Sequence, residues 1–246
     1  MSSLWTSGCF QQTRLVRPSP LSGAPCDLHI PVSPLSGNDK SIKAILSRTW
    51  QNYRNALVNA RCMHMIAKDS MFPNVYVKRP LSLNTFHARS TRDNAWVAPL
   101  RATFLDTYEK VNTAIATGDV KTLKSLTTVD YQKTAMERLR ALHPKAGTPY
   151  TYQWKLHELR SPVRIESVRA SETYMSQQEP KTGSRLLAQM LVRFDSTQTL
   201  ERFRNGQLVK GAGQTTPKPV VEYLVFEKRM WYDGPWVIRE QIYEGA

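Results

Sequence analysis

Ten basic side chains punctuate about one fifth of this chain: Lys40, Lys43, Arg48, Arg54, Arg61, Lys68, Lys78, Arg79, Arg89 and Arg92. Only Asp69 among acidic residues lies between the first and the last of them. In the second half of that stretch, the basic residues interleave with the rings of Phe72, Tyr76 and Phe86. Cations spaced along an extended segment neutralise phosphates, and rings between them stack on unpaired bases, so this pattern suits RNA. An arm that merely crosses a protein surface carries similar residues, and that reading stays open. A second basic group, Lys210, Lys218, Lys228 and Arg229, surrounds a late strand and reads either as a solvated face or as a membrane or partner surface.

Other chemistry finds little support. The chain lacks the phosphate-cradling, dinucleotide, zinc-protease and serine-hydrolase motifs. His29, His64, His87, His143 and His157 are scattered, with no pair at metal-ligand spacing. Asp130 and His157 are the groups to watch if a pocket forms between helices and sheet; no convincing acid–base pair emerges from them. Trp154, Trp231 and Trp236 read as core or sheet-edge packing. Cys9, Cys26 and Cys62 form neither a CxxC nor an even framework, which points to a reducing compartment and away from structural zinc. No cofactor, metal or small-molecule substrate is expected.

The charge is uneven along the 246 residues, whose formal net charge is +14. Through Arg92 there are twelve Lys and Arg against three acids, a net of +9; beyond it, twenty-two against seventeen give +5. The excess predicts a polyanionic partner, nucleic acid or anionic lipid. Residues 1–38 are poor in acids and rich in Ser, Pro and Gly, with Arg14 and Arg17 as their first basic residues. Such a segment reads as a mitochondrial targeting and linker region. It holds a short echo, Ser19-Pro20-Leu21-Ser22-Gly23 and Ser33-Pro34-Leu35-Ser36-Gly37. No apolar run reaches the roughly 20 residues a spanning helix needs, so any membrane contact is expected to be peripheral.

The elements that must position the basic residues follow from periodicity. Residues 39–94 read as a basic amphipathic helix capped by Asn38 or Asp39 and running to about Asp69, then an extended arm broken by Pro73 and Pro80. Ile42, Ile45 or Leu46, Trp50, Tyr53, Leu57 and Ala60 recur on one helical face; this stripe packs on the domain or meets RNA, a membrane or a partner groove. Residues 95–246 form the folded unit. Helices are predicted over Trp96–Thr117, in a short piece capped by Asp119, and over Asp130–Leu142, with Gly118 as a stop. From Tyr150 the period becomes two. Strands are expected over Tyr152–Leu156, Val163–Ile165 beyond a break at Pro162, and Leu186–Phe194, with Thr197–Arg204 continuing the last or forming another. A terminal hairpin from Val220 turns at Tyr232-Asp233-Gly234-Pro235. The fold class is α+β, helices covering one face of a curved antiparallel sheet in a cone-like outline.

The passage Ala114-Ile115-Ala116-Thr117-Gly118-Asp119-Val120-Lys121-Thr122-Leu123-Lys124-Ser125-Leu126-Thr127 resembles the helix, Gly-Asp, Leu-x-x-Leu stretch of the Tim-forty-four-like domain. The closing hairpin with Trp236-Val237-Ile238 resembles that family's last two strands, so the resemblance spans about Ala95 to Ala246. Met71-Phe72-Pro73-Asn74-Val75-Tyr76-Val77 resembles the stretch before the domain in the mitochondrial large-subunit ribosomal branch, which includes ribosomal protein L-forty-five and a fungal inner-membrane ribosome receptor. The resemblance implies a non-enzymatic component near the polypeptide exit. It would be held by ribosomal RNA and neighbouring proteins on the matrix side of the inner membrane. An adaptor of the import motor is the alternative, though that branch has a long N-terminal half rich in both Lys and Glu. A cone-fold enzyme is the other.

Overall fold

The computed structural model describes residues 27–35, 41–143, 150–209 and 216–243. Among these residues, four α-helices pack with an antiparallel sheet, as the sequence predicts. The helices are α1 (Ile42–Lys68), α2 (Ala98–Thr117), α3 (Val120–Leu126) and α4 (Val129–Leu142), with a 3-10 turn at Leu83–Phe86 between the first two. The strands are β1 (Tyr150–Glu172), β2 (Leu186–Arg204), β3 (Gln207–Leu208), β4 (Lys218–Arg229) and β5 (Val237–Ile242), in the order β1-β2-β4-β5, with β3 paired to β2.

Asn38 and Asp39, the expected caps of α1, lie outside the described residues; Ser41 occupies the N-cap, its hydroxyl accepting from the Ala44 amide. Asp69 closes the helix, as the spacing predicts. Gly118, at φ 81°, takes the left-handed turn that ends α2, and its amide donates to the Ala114 carbonyl. Asp119 then caps α3, accepting from the Lys121 and Thr122 amides. These bonds and the Thr122 hydroxyl hold its carboxyl below the ordinary carboxylate range, the hydroxyl contributing most.

The expected break at Pro162 does not occur. β1 runs as one 23-residue strand through it. Two facts make this cheap: β1 is an edge strand, and Pro162 falls between Ser161↔Asp195 and Arg164↔Arg193, where the ladder shifts register. A proline at an edge bulge loses no ladder hydrogen bond. β2 likewise continues unbroken through Thr197 to Arg204, then reverses at Asn205-Gly206 with φ of 50° and 77°. Positive φ at both central residues is the hairpin turn Asn-Gly favours.

The main core lies between α2 and the sheet. Phe104 sits 4.5 Å from Phe226 and edge-on to Trp236, while Tyr108 stacks on Phe194 at 4.3 Å. Tyr108 is buried; its hydroxyl donates to Glu222 and accepts from Gln198, and burial first, then the Glu222 charge, pushes it well above its ordinary range. On the opposite face, Leu28 and Ile30 pack against Leu191, Tyr223 and Val225. Residues 39–94 and 95–246, distinguished in sequence by charge and period, share one core: Met63, Ile66, Phe72, Val77 and Ala88 are buried in the same cluster as α2 and the sheet.

Candidate nucleic-acid interface

The edge strand explains where the basic residues end up. At the Ile165/Ser167 register shift, β1 turns backbone groups away from β2. Two asparagines of α1 meet them. Asn55 and Asn59 both donate to the Glu166 carbonyl, at 3.2 and 3.3 Å, and Asn59 accepts from the Val168 amide at 2.9 Å. The Arg169 guanidinium spans both side chains, 2.9 Å from each amide oxygen, and donates to the Asp27 carbonyl. α1 therefore covers the free edge of the sheet through a buried polar seam, leaving no strand edge open there. Farther along, Asn52 donates to the Val32 carbonyl and meets His29 at 3.2 Å.

The arm returns along the same side of α1. With Asn52, Asn55, Ala56 and Asn59, the segment from Phe86 to Arg92 walls a cleft of about 330 Å³. Arg89 does not point freely into solvent: its Nε lies 2.7 Å from the carboxylate of Glu166, whose side chain is only 4% exposed. That carboxylate is buried and needs a cation, so Arg89 fastens the arm to β1. Lys78, Arg79 and Arg92 are exposed and, among the described residues, have no carboxylate partner. The three rings divide as well. Phe72 is buried against Trp96, whereas Tyr76 and Phe86 are 84% and 63% exposed and free to stack.

On α1, Lys43, Arg54, Arg61 and Lys68 are exposed, and Arg48 turns back to donate to the Pro34 carbonyl. Lys40 lies outside the described residues. The late basic group does not form one patch. Lys210 lies outside the described residues, and Lys218 and Lys228 stand at opposite ends of β4, ten residues apart, about 33 Å at the usual strand rise. Arg229 is exposed beside Lys228. His157 is exposed on β1 with its ring 2.9 Å from the Thr199 hydroxyl, and Asp130 sits in the first turn of α4; neither lines the cleft.

The described geometry is a bare basic arm clamped beside a helix that lacks acids. Residues 36–245 match the family model described as MBA1-like protein, a stretch that takes in α1, the arm and the sheet. The chain belongs to the MBA1-like family. This is a family associated with the mitochondrial ribosome. No curated protein matches the chain significantly. Among the described residues, no helix is long and apolar enough to cross a membrane.

The asparagine seam was not anticipated from sequence. Its signal was present: Asn52, Asn55 and Asn59 recur at helical spacing on a helix without acids. A column of uncharged amides on one helix face marks a surface meeting backbone rather than water.

Proposed function

We propose that this chain is a non-enzymatic tether that holds the mitochondrial ribosome, through its large-subunit RNA and neighbouring ribosomal proteins, at the matrix side of the inner membrane near the polypeptide exit. Lys78, Arg79 and Arg92 contact phosphates, Tyr76 and Phe86 stack on bases, and Arg89 keeps the arm in place. The observation that carries this reading is the arm itself. Its three exposed cations have no carboxylate partner among the described residues, in a family associated with the mitochondrial ribosome. The family match also supports the ribosome-receptor branch of the resemblance over the import motor.

The test is co-sedimentation of the chain with large subunits through sucrose gradients. Lys78→Glu/Arg79→Glu/Arg92→Glu should leave the ribosomal fractions while melting like wild type. Arg89 is kept, because Arg89→Glu would set a second carboxylate against buried Glu166. Normal co-sedimentation of the triple variant would overturn the proposal.

A further inference from the structure

The apolar stripe of α1 faces away from the protein. Ile42, Leu46, Trp50, Tyr53 and Leu57 follow one another at spacings of four, four, three and four, and each is between 50% and 78% exposed. The opposite face carries Asn52, Asn55 and Asn59; Asn55 is the first buried residue of the helix, and the turns after Asn59 bury Ala60, Cys62, Met63, Ile66 and Ala67. Through Leu57 the helix is thus inverted: amides inward, large hydrophobic side chains outward. Among the described residues, none of these five side chains joins either hydrophobic cluster.

We propose that this outward face of α1 inserts into the interface of an anionic lipid bilayer. The proposal names the membrane-facing element of the tether read above and rests on that reading for its biological setting. Charge argues for lipid. The 27 residues of α1 contain no acid, and the exposed Lys43, Arg54 and Arg61 lie within one turn of stripe residues, along its flank. A helix with an apolar face edged by cations lies in the plane of an anionic surface, its aliphatic side chains among the acyl chains and its cations among the headgroups. Trp50 and Tyr53, with ring centroids 5.9 Å apart, are the residue types that settle at headgroup level. Phosphates of RNA would satisfy the cations but leave Ile42, Leu46 and Leu57 in water. Lys43, Arg54 and Arg61 therefore serve headgroups, and the arm cations serve RNA.

The experiment floats the purified full chain with phosphatidylcholine vesicles, with and without phosphatidylglycerol. Wild type should bind the phosphatidylglycerol vesicles. Leu46→Glu/Trp50→Glu should weaken that binding roughly tenfold or more, with an unchanged melting temperature because both residues are exposed. Brominated lipid should quench tryptophan emission in wild type more than in Trp50→Phe. Absence of wild-type flotation, or flotation of the double variant like wild type, overturns the proposal. Loss of ribosome co-sedimentation by the double variant with vesicle binding intact assigns the stripe to a ribosomal partner and overturns it too. So does a wild-type dimer that the double variant converts to monomer, which assigns it to a second copy. If flotation behaves as expected but no ribosome binds wild type, the tether reading falls and the lipid-binding face stands.

Discussion

Two asparagines and one arginine do more to hold α1 on the sheet than the apolar stripe visible in its sequence. Asn59 accepts from the Val168 amide and shares with Asn55 the Arg169 guanidinium and the Glu166 carbonyl. Buried polar groups left without partners cost about 1–3 kcal/mol each. Asn59→Ala strands chiefly the Val168 amide and should therefore lower stability by about 1–3 kcal/mol in urea unfolding, whereas an unchanged midpoint would mean that water replaces the side chain freely. Arg89 is the second structural residue hidden in a functional-looking pattern. Arg89→Glu should destabilise the chain, and Arg89→Lys should retain most of the stability because the carboxylate keeps a cation. Equal stability of the two variants would contradict that role. At the start of α3, the depressed Asp119 carboxyl has a definite pH signature. A folded value below the unfolded one, near 3.9, gives stability that is fully present above the unfolded value and is lost as pH falls through the folded one. Asp119→Asn keeps the acceptor and should flatten that acid limb in a pH-dependent melt.

At the level of elements, α1 has one buried and one exposed face, and they should respond differently to mutation. Ile66→Ala opens the core and should cost about 2–5 kcal/mol. Leu46→Ala, on the outward face, should stay within about 0.5 kcal/mol of wild type. Matching losses in thermal unfolding would mean that the stripe is packed and would remove the argument for a docking face. Periodicity located all four helices within two or three residues, and the Gly118-Asp119 stop and start was legible because each residue type has one local use there. The stripe was legible too, but not its direction: an amphipathic pattern says which side chains share a face and nothing about what covers it. Pro162 misled for a related reason. Proline forbids a central strand but not an edge strand at a bulge, and edge position is a property of topology. The same holds for Arg89, whose partner Glu166 is 77 residues away in sequence.

Across the whole molecule, the charges separate by location. The basic excess of the first third is mounted largely on α1 and the arm, which share the core of the α+β unit, so the proposed tethering surface packs directly with the sheet. Lys218 and Lys228, at opposite ends of β4, add no third patch. The central claim is that exposed arm cations bind phosphates, and counterion release makes it quantitative: each phosphate contact contributes about 0.7–0.9 to the slope of log affinity against log salt. The most direct measurement is the affinity of purified chain for purified large subunits across a salt series, for wild type and for Lys78→Ala/Arg79→Ala/Arg92→Ala. The account predicts a steep wild-type slope and a variant slope shallower by about 2–3. Parallel slopes for the two proteins would contradict it, even if the variant bound more weakly.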